Sequence, residues 1–479
     1  MIAVPIIAYN LKQAVKSIKK ASRYADIIEL RLDYLKNLTP NILEKLILNK
    51  TKPLIVTIRK KEEGGKHKIM ESKRIEFFKK AMDLNVDFID MELSTGTETI
   101  KQLIKSKRKT KIIVSYHNFR NTNREEILTK YRKIKSLNPD IIKIVTFANS
   151  IDDNKNMFDL IRKANSDNTK IISFCMGKLG EISRILSVPM GAYLTFASLE
   201  KGMESAPGQV DVNTLKNIYR VKKLKDPKIF GLVGNPVEHS KGFILHNTRF
   251  KKLHLNYIYL NFLVDNLNSF LKNYKSMVSG LSITIPFKSR IIRYLDKIEP
   301  TAKKIGAVNT VIKKNNKLIG YNTDMIGAIK AILSKTKIED KNILIIGAGG
   351  VARAIAYGIV KNKGNLIILN RTVSKAKKLA KELNCLWGSL DDLISLREID
   401  VVINATSLGM FPKIEETPIN KKILRKITKR GSVIFDSVYN PKKTKLLKDA
   451  EKLGLITISG YSMFINQAKE QFRLFLEAD

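Results

Sequence analysis

Two lysines, each with a partner residue in a neighbouring motif, carry the chemistry this chain could perform. Lys143 interrupts the apolar run Ile141 to Phe147, where strand alternation points it inward with few neighbours to neutralise it. Burial and nearby cations free a lysine's amine for attack on a ketone or aldehyde carbonyl. The alternative is a structural interior lysine paired with a carboxylate. His117 ends the preceding apolar run, in VSYHNF. A histidine one strand away from an inward amine can act as general base toward the carbon acid of a Schiff base. Glu29 and Arg31 in IELRLD, Arg59 and Glu63 in TIRKKEEGG, and Arg184 in MGKLGEISR place further charges at strand or loop ends. Several cations at one mouth imply an anionic substrate. A second constellation lies downstream: Lys288 in SITIPFK and Asp324 in YNTDMIG precede the glycine-rich stretch NILIIGAGGVARA. Either charge alone could belong to a surface ion pair.

These residues need elements to hold them. From the start to about Arg220, eight β-rich runs alternate with amphipathic helical stretches, beginning near Ile2, Ile27, Leu54, Phe88, Lys111, Ile141, Lys170 and Ala192. One intervening helix is expected over Thr122 to Ser136. Eight such pairs in this length predict a (β/α)₈ barrel whose polar strand ends share one mouth. Val221 to Lys228 is basic, contains Pro227 and lacks apolar periodicity, so it reads as a linker. A second fold begins at Ile229, with mixed strands and helices to about Lys330. The strand Asn342 to Ile346 then enters a glycine turn and a helix, the opening of a dinucleotide-binding unit in which a pyrophosphate approaches backbone N–H groups. The next strand ends at Asn370, and Arg371 follows where an NAD enzyme usually places an acid for the ribose hydroxyls. An arginine there, with Thr372 and Lys375 nearby, suits a 2′-phosphate, so NADP is expected; for Lys375 a solvated helix start is the alternative. The predicted class is α/β: an N-terminal (β/α)₈ TIM barrel over 1–220, a linker at 221–228, and a two-lobed α/β dehydrogenase. Resemblance to two-lobed dehydrogenases implies a substrate-binding lobe over 229–330, completed by 458–479, and a Rossmann-like NADP-binding lobe over 331–457.

The first 220 residues resemble type I 3-dehydroquinate dehydratase, because ELRLD, EGG, SYHNF, the strand lysine, MGKLGEISR and SAPGQ occur in that family's order and spacing. The resemblance implies that Lys143 forms an imine with the substrate ketone. It makes His117 the residue that removes the neighbouring C–H proton and returns it to the departing hydroxyl, and Glu63 the carboxylate that orients the histidine. Arg184, Ser205 and Gln209 match residues that hold substrate, with Glu29, Arg31 and Arg59 around them. From Ile229 to about Glu477 the chain resembles a shikimate dehydrogenase, through GNPVEHS, SITIPFK, GAVNT, GYNTD, GAGGVARA, NRT, NATSLGM, DSVYNP and GYSMFINQA. That likeness implies a catalytic pair of Lys288 and Asp324, and substrate contacts from Ser240, Thr284, Asn309, Tyr439 and Gln467. It places NADP at Gly347, Ala348, Gly349, Gly350, Val351, Asn370, Arg371, Thr372 and Lys375. One departure stands out: the family reads HS, any residue, SP, whereas this chain reads His239, Ser240, Lys241, Gly242, Phe243. Loss of one charge-assisted hydrogen bond costs roughly 1.5 to 3 kcal/mol of substrate binding. Weaker shikimate binding, or tolerance of quinate with its extra hydroxyl, is therefore expected.

The two resemblances together imply a bifunctional enzyme that dehydrates 3-dehydroquinate to 3-dehydroshikimate and reduces that product to shikimate with NADPH. With 44% hydrophobic and 28% charged residues, the chain can bury sizeable cores. The net charge of +42, from 87 Lys plus Arg against 45 Asp plus Glu, raises nucleic acid or an anionic membrane as a partner. The lysines are scattered, as in Lys16, Lys19 and Lys20 or Lys377, Lys378 and Lys381, and no nucleic-acid-binding signature accompanies them. Small-molecule substrates are thus the expected partners, with no specific nucleic acid and no membrane; oligomeric state is left open. No apolar run approaches the roughly 20 residues of a membrane span and the opening lacks a signal-peptide pattern, so a cytoplasmic setting is expected. Cys175 and Cys385 stand far apart without a Cys/His cluster, which implies neither a disulfide nor a metal. Two rivals remain: a Schiff-base aldolase fused to another NADP dehydrogenase, against which His117 and SAPGQ argue, and a basic scaffold retaining inactive enzyme folds.

Overall fold

Short runs rich in Ile and Val, buried on both faces, pair most readily as parallel strands covered by helices. The computed structural model describes residues 1–48, 50–238 and 240–479. In it the eight runs become β1 (Ile2–Ile6), β2 (Ile27–Arg31), β3 (Leu54–Thr57), β4 (Phe88–Glu92), β5 (Lys111–His117), β6 (Ile141–Phe147), β7 (Ile171–Met176) and β8 (Thr195–Phe196). Their order is β7-β6-β5-β4-β3-β2-β1-β8, each neighbour paired in parallel. The barrel nearly closes where the Tyr193 N–H donates to the Ile171 carbonyl at 2.7 Å. The eighth strand starts at Thr195 rather than at Ala192, because the Ala192 N–H is taken by Ser187 O at 2.9 Å as the preceding helix ends. The helix expected over Thr122 to Ser136 runs Arg124–Lys135, started by Asn123, whose side chain accepts from Glu126 N.

Strand alternation sorts the barrel interior. Ala3, Ile27, Ile55, Phe88, Ile113, Ile141, Ile172 and Leu194 form an apolar floor near the strand starts. Two residues further along, in the same phase, come Glu29, Thr57, Asp90, Ser115 and Lys143, all buried. Two further still are Arg31, Arg59, Glu92 and His117, at the C-terminal end where barrel sites form.

By contacts the chain separates into two compact units, Met1–Ile229 with Phe243–Met277, and Phe230–Gly242 with Val278–Asp479. The stretch expected to be a linker is packed: Val221 and Leu224 are buried, and the Arg220 guanidinium donates to Leu255 O at 3.2 Å and Tyr257 O at 3.1 Å. Residue 228 already opens a strand.

That strand belongs to a six-stranded sheet of order β10-β9-β11-β13-β14-β12. Its members are β9 (Lys228–Gly234), β10 (Tyr257–Leu263), β11 (Val278–Ile283), β12 (Lys297–Ile298), β13 (Thr310–Lys314) and β14 (Lys317–Tyr321). The third sheet holds β15 (Asn342–Ile346), β16 (Asn365–Leu369), β17 (Leu386–Gly388), β18 (Ile399–Asn404), β19 (Thr428–Asp436) and β20 (Ile456–Ile458). All its pairings are parallel, in the order β17-β16-β15-β18-β19-β20. The order reverses beside β15, and such a reversal leaves a crevice outside the carboxyl ends of the strands. Among the described residues, no helix is long and apolar enough to cross a membrane.

Candidate active sites

The barrel mouth opens into a pocket lined by Glu29, Arg31, Arg59, Glu63, His117, Lys143, Arg184, Ser205 and Gln209, with Phe119, Phe174, Met176 and Phe196 among the apolar members. Every residue singled out in the first half therefore faces one space. Lys143 stands in register with Ser115 of β5 and Ile172 of β7, which fixes its inward direction. The expectation that few neighbours neutralise it is corrected: Nζ donates to Asp90 Oδ2 at 2.7 Å and lies 3.9 Å from Glu29 Oε1. It also sits 4.3 Å from the centroid of the Phe196 ring. Carboxylates from β2 and β4 meet the amine because a closed barrel turns one face of every strand toward the same axis.

Asp90 and Glu92 are the residues the motif reading missed. Both are fully buried, and the Arg59 guanidinium bridges them, Nη2 to Asp90 at 2.9 Å and Nη1 to Glu92 at 3.0 Å. Burial alone would raise the Asp90 pKa, but Arg59 and Lys143 hold the carboxyl far below its ordinary range. The signal was present in FIDMEL, where two acids occupy alternate positions of an apolar strand and so share its inner face.

His117 Nδ1 lies 3.2 Å from Glu63 Oε2, while Glu63 Oε1 accepts from Ser94 Oγ at 2.6 Å. Burial, Arg59 and Lys143 push the imidazole pKa well below the ordinary 6.5, so the ring is neutral and can take a proton. Burial raises the Glu63 pKa, against the opposing Ser94 hydrogen bond. The EGG turn positions this carboxylate: Gly64 is left-handed at φ +86°, and a Cβ on Gly65 would come within 2.1 Å of Arg59 O. Arg184 is buried, stacked over Phe174 at 4.4 Å, and its Nε has no partner among the described residues. Burial lowers its pKa to about 10. Its Nη2 donates to Pro207 O at 3.3 Å, and among the described residues no carboxylate pairs with it, an arrangement that can accept an anion. Ser205 and Gln209 hold each other, Gln209 Nε2 donating to Ser205 Oγ at 2.9 Å. Arg31 is committed more firmly than its sequence context implied, gripped at two points by Asp33 and donating to Gly64 O at 3.1 Å.

In the second unit Lys288 Nζ donates to Asp324 Oδ2 at 2.6 Å, both side chains mostly buried. Asp324 sits in the first turn of the helix Thr323–Leu333, where the dipole favours an anion. Asn309 Oδ1 accepts from Thr323 N at 2.8 Å, and Thr323 Oγ1 lies 3.3 Å from Gln467 Oε1. Gln467 belongs to the helix Gly460–Phe475, whose Gln471, not foreseen, donates to Asn309 O at 3.2 Å and accepts from Ser282 Oγ at 3.0 Å. Ser240, Thr284 and Tyr439 make no side-chain hydrogen bond to the Lys288–Asp324 pair among the described residues; Tyr439 stacks on Phe464 at 5.2 Å, and Ser240 Oγ accepts from Gly242 N at 3.3 Å. His239 lies outside the described residues.

The glycine turn after β15 is open where a dinucleotide's phosphates would come. A Cβ on Gly349 would meet nothing within 4 Å, and one on Gly350 only Lys288 Cδ at 3.9 Å. Gly347 is left-handed at φ +119°, and a side chain there would press on Ala405 O at 2.9 Å. Gly349 N-caps the helix Gly350–Lys361, into which Val351 runs, and Ala348 packs against the core behind it. Free N–H groups at this helix start suit a phosphate. Arg371, Thr372 and Lys375 are exposed just past β16, and Asn370 Nδ2 fixes that turn by donating to Thr372 O at 2.8 Å.

Fold and sites together define a barrel lyase joined to a two-lobed dehydrogenase. Family models agree: type I 3-dehydroquinase matches residues 2–226, the shikimate dehydrogenase substrate binding domain 232–311, and shikimate/quinate 5-dehydrogenase 329–444. The bifunctional 3-dehydroquinate dehydratase/shikimate dehydrogenase of Arabidopsis thaliana, a chloroplastic protein, is 40% identical over 99% of this chain and 82% of its own length. The NADP(+) shikimate dehydrogenase of Methanococcus aeolicus is 44% identical over 52% of this chain and 91% of its own. A solved shikimate dehydrogenase in complex with NADP+ is 40% identical, covering 53% of this chain and 92% of that one, with a TM-score of 0.48. The chain belongs to the family of bifunctional 3-dehydroquinate dehydratase/shikimate dehydrogenases, and serves two consecutive steps of the shikimate pathway.

Proposed function

We propose that the barrel works through an imine on Lys143. The amine adds to the ketone of 3-dehydroquinate and water leaves. His117 takes the proton from the adjacent carbon, the iminium receiving the electron pair; the β-hydroxyl then departs with that proton, and hydrolysis releases 3-dehydroshikimate and regenerates the amine. Glu63 keeps the imidazole oriented, Arg184 receives the substrate carboxylate, and Ser205, Gln209, Glu29, Arg31 and Arg59 border the ring. The observation that carries this reading is a carboxylate-oriented histidine lining one pocket with a buried amine. Borohydride added with 3-dehydroquinate is expected to leave a permanent mass increase on the peptide containing Lys143. Unmodified peptide during normal dehydration would refute it.

The second unit, on the same proposal, reduces 3-dehydroshikimate with NADPH. The glycine turn would hold that cofactor, with Arg371, Thr372 and Lys375 toward its 2′-phosphate, and the chemistry it would supply is a hydride. Lys288 and Asp324 pass the proton at the carbonyl oxygen; Asn309, Gln467, Ser240, Thr284 and Tyr439 surround the ring. A cytoplasmic setting accords with two free cysteines.

Quinate is a second substrate on this reading. Position 242 has no hydroxyl, its N–H donates to Ser240 Oγ, and the family model of the nucleotide lobe names quinate beside shikimate. Gly242→Ser is expected to raise kcat/KM for shikimate about tenfold and to depress that for quinate. Equal shikimate values for the two proteins, with no quinate oxidation by either, would remove the idea.

A further inference from the structure

The loop that follows β6 is held from outside the barrel. It comprises residues 148–152, directly after the strand carrying Lys143, and it ties together the loops that follow β5 and β7. Asn149 Nδ2 donates to Arg120 O at 2.8 Å, and Thr122 Oγ1 donates to Phe147 O at 2.8 Å, so the segment bearing Phe119, stacked on His117, is fastened to it. On the other side Asn154 Nδ2 donates to both Ile151 O and Leu179 O at 2.8 Å. Ile151 O is thus a node among three loops of the mouth. Besides the Asn154 side chain and backbone N–H, it accepts from Tyr274 Oη at 2.6 Å, and the neighbouring Asp152 Oδ2 accepts from Ser269 Oγ.

Both donors lie on the helix Leu267–Tyr274, inside the stretch matched by the shikimate dehydrogenase substrate binding domain, yet residues 243–277 fall in the same compact unit as the barrel. Tyr274 is 1% exposed and stacks on Phe270 at 4.9 Å, which holds its ring in place. Burial and Asp152 push the phenol pKa well above the ordinary 10, so it remains a donor across the working pH range.

We propose that Tyr274 and Ser269 are positioning residues for the dehydratase reaction: a helix of the dehydrogenase sequence fixes the β6 loop and, through it, the loop whose Phe119 stacks on His117. The proposal rests on reading the barrel mouth as the dehydratase site. Misplacing a general base by about 1 Å can cost up to about a hundredfold in rate, so loosening this loop at two points should be visible kinetically.

The test is Tyr274→Phe, which keeps the ring, and Ser269→Ala, singly and together in the full chain. The double variant is expected to lose about tenfold in dehydratase kcat, with KM changed less than about twofold, and to keep its shikimate oxidation rate. Ser269→Thr, which retains the hydroxyl, should restore most of the loss relative to Ser269→Ala. A double variant with unchanged dehydratase kcat would overturn the proposal even if its melting temperature falls, since the contacts would then serve stability alone. Equal losses in both activities would overturn it too. A wild-type chain without dehydratase activity would instead refute the reading of the mouth itself.

Discussion

His117 gathers its properties from residues far away in sequence. Its partner Glu63 comes from the turn after β3, and the cations that discourage its protonation come from β3 and β6. The sign of the pH dependence follows. A histidine whose pKa is lowered loses its proton earlier as pH rises, so the basic form persists until the pH falls well below 6.5. The acid limb of dehydratase kcat/KM is therefore expected below pH 6.5, measurable between about pH 5 and 8. A limb centred at 6.5 or above would mean that burial and the cations around the ring do not lower its pKa.

At the scale of elements, one buried arginine joins a helix to two strands. Arg74, on the helix Glu71–Asp83 and 1% exposed, donates through Nε to Ile58 O at 2.9 Å and through Nη2 to Glu92. Glu92 in turn holds Arg59 and the Lys60 N–H, so the helix, the end of β3 and the end of β4 share one charge network. Breaking a buried pair by removing one partner leaves a desolvated charge. Arg74→Met is expected to destabilise the barrel by about 3 kcal/mol in urea unfolding. A loss below about 1 kcal/mol would show that Glu92 is satisfied by Arg59 alone.

For the whole molecule, each set of site residues lies within one compact unit: Lys143, His117 and Glu63 in the first, Lys288, Asp324 and the glycine turn in the second. Among the described residues, neither proposed set includes a side chain from the other unit. Supplied with 3-dehydroquinate and NADPH, Lys143→Ala should stop all flux and Lys288→Ala should accumulate 3-dehydroshikimate. Mixing the two variants should restore shikimate formation, because the intermediate can diffuse between intact sites. No recovery on mixing, with each variant keeping its other activity, would contradict this independence.

The amino-acid order was enough to establish what is local. Alternation turned Lys143 inward, and glycine spacing announced the turn between β15 and the helix after it, since each depends on residues a few positions apart. Tertiary structure decided the partners. Asp90 reaches Lys143 across 53 positions, and Tyr274 reaches Ile151 across 123, pairings that exist only once strands close into a barrel and a distant helix packs against its loops. The same holds for the stretch after Arg220: its charge and its proline describe a connector, but burial of Val221 and Leu224 depends on surfaces assembled from the rest of the fold.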